Sequence, residues 1–394
     1  MKLPLHLVEA GKTKEAMEKR RSSIEQSLDI SLTNISSHTL DVETISKKNC
    51  ENSIGAIQIP IGIAGPLNIT FEGGSNEEVY IPLATTEGAL VASTSRGCSL
   101  LSNAPAGVTT SIVDKKMTRA PVFRCPSAVV ALSAKKWVEE HLAALRLEAG
   151  KEEPFCTLLD ITCWCVGRSL FLRFSYDTAD AMGMNMVTFA TQKICDSVSQ
   201  NFPSIELLAL SGNMCIDKKP SALGLLYGRG FSINAEALVP NELIREKLHC
   251  TSERLIEVAT RKLFIGSGLA GAYGFNAHVA NIIAAMFIAT GQDPAHVVEG
   301  SQAITTVEQY DQDTLYIGVY LSSINCATVG GGTDGRTQQE ALKILGVTNT
   351  LPPGENSRRL AQIIAAASLA GELSLLGALA EGSLAKAHKD LGRA

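Results

Sequence analysis

The sequence predicts an α+β protein of two compact domains with a helical N-terminal appendage, and three observations carry that expectation. The chain has 394 residues, more than one hydrophobic core usually spans. Its apolar residues recur at helical spacing over residues 13 to 47 and then, from Ser53, in short β-branched runs broken by Pro and Gly. Between Pro121 and Ser211 a compact βαβ-like series has the size of a small inserted α+β domain. The expected division is a helical segment over 1–50, a large domain from 51–120 and 211–394, and a small inserted domain over 121–210.

Composition narrows the function classes. Hydrophobic residues at 45% and charged residues at 19% exclude a largely disordered chain. A net charge of -5 argues against non-specific nucleic-acid binding, which needs concentrated Lys and Arg. The ten cysteines are scattered without a CxxC pair, as expected for reduced thiols in the cytoplasm. The N-terminus lacks a signal-peptide apolar run, and no stretch reads as a membrane span, so a soluble protein is expected. The most apolar window, 360–380, is interrupted by Gln362 and Glu372 and reads as a buried core helix.

The elements follow in order. Residues 13–47 read as one or two surface helices, and AIQIPIGIAGPLNITF with EEVYIPL as strands. Thr85 and Thr86 precede a helix through Ser102, with Glu87 expected in its first turn. The inserted series runs PVFRCP, a helix through AKKWVEEHLAAL, strands CTLLDITCWCV and RSLFLRFSY, the loop DTADAMGMN and a helix ending near NFP. A strand then ends at SGNMCIDKKP, a second runs through GRGFSINAEALV, and an Ala/Gly-rich helical region fills 240–290. A strand TLYIGVYL, the glycine run TVGGGTDG, the 360–380 helix and a polar tail complete the chain.

Five constellations could carry chemistry. GSGLAG at 266–271 fits G-x-G-x-x-G, with Asp293 downstream, but a helical segment precedes it where a dinucleotide site needs a strand; its glycines read as close helix packing. DTADAMGMN lies between a strand and a helix, the context in which backbone N–H groups meet a pyrophosphate. IDKKP reads as an extended loop edge, either solvated or holding an ammonium beside a carboxylate. His388 is an exposed tail residue or a proton donor, and GQDPAH is explained by cap and turn chemistry.

The order and wording of these pieces resemble the 3-hydroxy-3-methylglutaryl-CoA reductase family over nearly all of residues 48–390. The segments that carry the resemblance are CENSIGAIQIPIGIAGPL, ATTEGALVASTSRGC, MTRAPVFR, DAMGMNM, SGNMCIDKKP, GRG, NAHVANI, ATGQDPAH, ATVGGGT, PGENSRRLA, AGELSL and LAKAH. DAMGMN and the tail are similar to the class shared by eukaryotes and archaea.

The resemblance implies reduction of 3-hydroxy-3-methylglutaryl-CoA to mevalonate and CoA, the chemistry of isoprenoid biosynthesis, with one hydride from each of two reduced nicotinamides. It implies a helix-centred substrate domain, a ferredoxin-like cofactor domain in the inserted segment, and a homodimer with active sites at its interface, a homotetramer being left open. Lys218 is assigned to the carbonyl oxygen that becomes an alkoxide, and His388 to protonation of the departing thiolate. Glu87 matches the acid that protonates the aldehyde oxygen, which requires a raised pKa, and Asp293 the carboxylate coupled to it and to Lys218. Substrate recognition carries over to Arg119, Ser211, Asp217, Lys219, Lys262 and Asn281, and CoA contact to Ser93 and Arg96. The cofactor set is Asp180, Ala181, Met182, Gly183, Met184, Asn185, Gly331, Gly332 and Arg393, with no metal.

Two departures stand out. The Ser-Arg pair that helps NADPH-using members hold the 2′-phosphate is replaced by GKEEPFCTLLD, whose glutamates favour a ribose hydroxyl, so NADPH is placed first and NADH is kept open. A basic residue of the CoA region is replaced by His249. The alternatives are the same reaction run oxidatively with NAD to degrade mevalonate, a CoA-dependent acyl transferase using a cysteine nucleophile, and a silent acyl-CoA binder.

Overall fold

The structure, a computed structural model, describes residues 11–151 and 155–382. The appendage begins with the helix Lys14–Leu28, whose Thr13 side chain caps it by accepting from Ala16 N–H. Arg20 on this helix is buried and donates through Nε to Ser53 O at 3.0 Å and through Nη1 to Gly11 O at 3.0 Å, which fastens the helix to the body. Short helices at Thr33–Ser36 and Val42–Lys48 complete it.

Among the described residues, ten strands form a largely antiparallel sheet system: β1 (Ile61–Thr70), β2 (Asn76–Ala84), β3 (Val108–Arg119), β4 (Val122–Arg124), β5 (Thr157–Val166), β6 (Ser169–Asp177), β7 (Glu206–Ala209), β8 (Gly230–Pro240), β9 (Ala303–Gln309) and β10 (Thr314–Ile324). The order is β7-β4-β6-β3-β8-β10-β9, with β1 beside β3, β2 beside β1 and β5 beside β6. β3 is the joint: its first part pairs with β8, and its last residues, Met117 to Arg119, pair with β6.

Among the described residues, two large apolar cores lie on either side of that joint. One is built on β4 to β7 with the helices Ala128–Glu140, Leu142–Ala149 and Met184–Asn201, and it buries Phe123, Val138, Leu172, Phe174 and Ile194. The other surrounds the helix Glu355–Glu381, in which every residue from 360 to 374 is buried. By length and composition this helix could cross a bilayer, but 83% of its most apolar window is buried inside the protein, as expected of a core helix. The helix Leu90–Ser102 packs on it so closely that a Cβ at Gly97 would collide with the Ala370 carbonyl, which is why only glycine fits there.

Several boundaries differ from expectation. The first strand starts at Ile61, eight residues beyond Ser53. The helix after β2 starts at Leu90, because Ala89 takes a left-handed conformation (φ 69°), so Glu87 lies in the preceding loop and not in a first helical turn. The 240–290 region breaks at 271–278 between the turn Ser267–Ala270 and the helix Val279–Thr290. β9 was missed: AITTVEQ shows only a short apolar alternation, and pairing with β10 makes it a strand. GSGLAG lies in helical turns, as its context required, but a Cβ at Gly268 or Gly271 would meet open space, so these two glycines serve no close packing.

Candidate active site

The loop 211–220 follows β7 and is not an extended edge. Asn213, Ile216 and Lys218 have φ of 66°, 58° and 55°, a left-handed conformation that is unusual for a lysine and rarer still for a β-branched isoleucine. Such residues cost on the order of 1–3 kcal/mol each and persist only where surroundings hold them. Here Ile216 and Cys215 are buried, Thr118 Oγ1 donates to Cys215 O at 2.8 Å, and Lys218 N–H donates to Glu299 Oε1 at 3.3 Å. The strain aims the lysine.

Its target is Asp293. Gly291 ends the helix Val279–Thr290 in a left-handed conformation (φ 74°), and its backbone meets that of Gly332 so closely that neither position has room for a Cβ. Asp293 then caps a short turn, Oδ1 accepting from Ala295 N–H at 3.0 Å, while Oδ2 lies 2.7 Å from Lys218 Nζ. Burial alone would raise the Asp293 carboxyl. The hydrogen bonds from Lys218 and Ala295, with the charges of His296 and Lys218, outweigh burial and hold it below the usual carboxylate range.

Behind this pair is a buried polar cluster that the sequence reasoning did not single out. Glu299, His296 and Arg229 are each 0% exposed. Glu299 Oε1 lies 2.7 Å from His296 Nδ1 and accepts from Arg229 Nη1 at 3.0 Å and Asn325 Nδ2 at 3.1 Å. Arg229 Nη2 reaches Asp217 Oδ1 at 2.9 Å and Met184 Sδ at 2.8 Å. Donor atoms of Asp217, His296 and Glu299 lie within 4.8 Å of one another, but the Arg229 guanidinium already bridges two of them, so the group reads as a charge network. His296 and Arg229 sit in GQDPAH and GRG, segments visible in the sequence; what was missing was any sign that they are buried together.

A second group gathers around Glu87. Its exposed carboxylate accepts from Asn281 Nδ2 at 3.1 Å, and His278 Nε2–H donates to Gly371 O at 2.8 Å, leaving Nδ1 to face Asn281 Nδ2 at 3.4 Å. The loop that carries them hangs on Glu372 of the core helix, which accepts from the N–H groups of Ala277 and His278 at 2.7 Å each and from Thr305 Oγ1 at 2.7 Å. Thus the acidic interruption of an apolar helix anchors a site loop.

The remaining expected residues have contacts of their own. Lys219 Nζ folds back to Asp217 O at 3.1 Å, and Ser211 Oγ contacts Cys215 Sγ at 3.3 Å. Arg119 keeps a buried Nε without a hydrogen-bond partner. Lys262 is exposed on the π-helical segment Thr260–Gly266. Ser93 and Arg96 meet at Ser374, Arg96 donating to its hydroxyl at 3.0 Å and its carbonyl at 2.8 Å.

A cleft of about 660 Å³ brings Ala181, Met182, Gly183, Met184, Asn185, Gly331 and Gly332 together with Asp293 and Lys48. The helix Met184–Asn201 begins at this cleft with Gly183 at its N-cap (φ 79°) and no side-chain cap, so its first N–H groups and dipole favour an anion there. Asp180 does not line the cleft. Its carboxylate accepts from Gly354 N–H at 2.8 Å, Ser357 N–H at 2.8 Å and Asn356 Nδ2 at 3.2 Å, capping the core helix from outside. His388, Arg393, Glu152 and Glu153 lie outside the described residues.

Comparison with known proteins follows the same lines. The sequence pattern of the family described as hydroxymethylglutaryl-coenzyme A reductase matches residues 16–393. The chain is 49% identical to a 3-hydroxy-3-methylglutaryl-coenzyme A reductase of Pyrococcus abyssi over 99% of its own length and 97% of the relative's. Against the enzyme of the same name from Haloferax volcanii it is 48% identical, over 99% and 96%. In fold it is similar to a class II 3-hydroxy-3-methylglutaryl-CoA reductase from Streptococcus pneumoniae solved with NADPH in open conformations, at a TM-score of 0.70 and 18% identity, covering 92% of this chain and 96% of that one.

Proposed function

The chain belongs to the hydroxymethylglutaryl-coenzyme A reductase family, and from that premise we propose how its residues divide the reaction among them. It is an oxidoreductase that reduces 3-hydroxy-3-methylglutaryl-CoA to mevalonate and CoA, two molecules of reduced nicotinamide bound in turn supplying one hydride each. The observation that carries the division of roles is the Lys218–Asp293 pair at the edge of the cleft lined by Ala181 to Asn185.

Lys218 holds its ammonium at the carbonyl oxygen, where charge develops as each hydride arrives. Asp293 keeps that ammonium charged and aimed, which its own low pKa supports. Glu87 gives the proton that the aldehyde oxygen needs in the second reduction, with Asn281 orienting its carboxylate. His388 protonates the departing thiolate. Arg119, Ser211, Asp217, Lys219 and Lys262 bind the acyl part, and Ser93 and Arg96 the CoA part.

The nicotinamide is assigned to the cleft. The uncapped start of the helix Met184–Asn201 takes the pyrophosphate, and Gly331, where a Cβ would meet open space, leaves room beside it. Asp180 acts indirectly, by holding the core helix against the loop that carries Ala181 to Asn185, and Arg393 contributes from the tail. The spatial order β7-β4-β6-β5, with the helices Ala128–Glu140 and Leu142–Ala149 between β4 and β5 and Met184–Asn201 between β6 and β7, supports reading 121–210 as a ferredoxin-like cofactor domain. NADPH is the proposed reductant, in line with the ligand of the pneumococcal relative.

A second copy of the chain completes the site. Ile57, Ile59, Ile61 and Ile63 are exposed along one segment, Ile57 at 85%, an apolar face suited to a homodimer contact. Glu87 is exposed in the single chain, so the exclusion of water that a proton donor requires comes from the partner copy and the substrate. Acyl transfer through cysteine lacks support: burial pushes the thiols of Cys98 and Cys163 up to about 12 and that of Cys250 to about 11, far from a nucleophile's range.

The roles are tested by measuring thioester and mevaldehyde reduction separately in Lys218→Met and Glu87→Gln. Lys218→Met should lose both steps by ~10²–10³-fold, the cost of one oxyanion donor. Lys218→Met with activity near wild type would overturn the assignment.

A further inference from the structure

His296 is a buried titratable group beside the Lys218–Asp293 pair that the roles above leave unused. Its ring is 0% exposed, and Nε2 is buried without a hydrogen-bond partner. That nitrogen lies 3.6 Å from Asp293 Oδ2, the same oxygen that holds Lys218 Nζ at 2.7 Å. On the other side Nδ1 lies 2.7 Å from Glu299 Oε1.

Hydrogen-bond logic limits what this ring can be. An ionised carboxylate only accepts, so the 2.7 Å contact requires Nδ1–H to donate to Glu299. Arg229 Nη1 also stands 3.3 Å from Nδ1, but it already donates to Glu299 Oε1 at 3.0 Å and Asn325 Oδ1 at 3.1 Å, so its nearness to the ring nitrogen is that of a neighbour. With Nδ1 bearing hydrogen, Nε2 can bond Asp293 only if one further proton sits between them, on the ring or on the carboxyl. At 3.6 Å that bond is not made in the substrate-free chain, and a shift of a few tenths of an ångström would make it.

We propose that His296 is a positioning residue that passes a proton to and from Asp293, connecting the Lys218–Asp293 pair to a buried reservoir anchored by Glu299 and Arg229. The step is a simple transfer. The Nε2–H bond of His296 breaks and an O–H bond forms at Asp293 Oδ2, the ring keeping its Nδ1–H on Glu299; reversal restores the starting state. The groups facing the ring are Glu299, Arg229, Asp293 and Asp217, the last with Oδ1 3.9 Å from Nδ1. Two positive and three negative side chains, counting Lys218 beyond Asp293, therefore share one mobile proton. The proposal rests on the reading of Lys218 and Asp293 as catalytic.

The test compares wild type with His296→Gln, whose amide can fill the space and hydrogen-bond but cannot shuttle a proton. The expected result is a fall in kcat for mevaldehyde reduction of about tenfold, smaller than the ~10²–10⁴-fold of a group acting directly on substrate. The KM should stay within about twofold, and the pH dependence of kcat between pH 5 and 9 should change shape. Superposable pH profiles, or a change confined to KM, would overturn the proposal while leaving the Lys218 assignment intact. Because a buried substitution can impair folding, histidine-labelled full-length wild type is also compared with Asp293→Asn by nitrogen NMR. One ring should keep a protonated Nδ1 and change the state of Nε2; if no ring nitrogen responds to Asp293→Asn, the connection does not exist, whatever the turnover.

Discussion

Lys218 Nζ lies 2.7 Å from Asp293 Oδ2, and the backbone N–H of the same lysine donates to Glu299 Oε1 at 3.3 Å. One residue is thus held at both ends by acidic groups from a single neighbouring stretch, Asp293 to Glu299. That double hold keeps a left-handed lysine in place, so its ammonium is oriented before any substrate arrives.

Asp293→Asn should therefore remove more than a charge. The amide keeps the shape but no longer pairs Lys218 as an ion, and activity should fall by ~10²-fold or more with little change in melting temperature, since the pair is partly exposed. Steady-state kinetics beside a thermal melt would check it.

Acid should weaken this hold in a defined direction. The Asp293 carboxyl is held below its ordinary value, so its contribution to stability is fully present above the unfolded-state pKa of about 3.9 and is lost as pH falls through the lower folded value. Lys218→Met removes the first of the lowering interactions. A carboxyl titration followed by isotope-edited infrared should show the Asp293 midpoint higher in Lys218→Met than in wild type; an unchanged midpoint would contradict the pairing.

Asp180 is expected to behave as a structural cap. Asp180→Ala leaves the N–H groups of Gly354 and Ser357 and the Asn356 amide without this acceptor at the start of the core helix. A loss of about 1–3 kcal/mol is expected, read as a lower denaturant midpoint. Affinity for the nicotinamide should fall less than stability does; the reverse pattern would mark a direct cofactor contact.

Gly97→Ala tests the helix crossing on which the large core depends. The added methyl meets the Ala370 carbonyl, a backbone atom that cannot rotate away, so a cost of about 1–3 kcal/mol and a drop in soluble yield are expected. Yield and melting temperature equal to wild type would mean the helices separate more easily than the packing implies.

Much of this was legible in the sequence because the informative features are local. β-Branched runs and turn residues marked most of the strands, and the polar interruptions Gln362 and Glu372 of the 360–380 window identified a core helix that length and hydropathy alone would mistake for a membrane span. Features that depend on long-range contacts were not legible. Ala89 starts its helix late through a left-handed conformation, AITTVEQ is a strand only because β10 lies beside it, and the burial of Arg229, His296 and Glu299 arises from segments 67 to 70 residues apart meeting behind the DKKP loop. Asp180 shows the same limit: the family resemblance places it among the cofactor residues, and a helix far along the chain takes its carboxylate.

The central claim is tested most directly by following absorbance of reduced nicotinamide when the purified chain meets 3-hydroxy-3-methylglutaryl-CoA, with NADPH and NADH in separate reactions. The account expects two equivalents of NADPH oxidised per thioester consumed, with free CoA and mevalonate as products, and slower turnover with NADH. Absence of oxidation of either cofactor by folded protein, or release of CoA without oxidation, would contradict it.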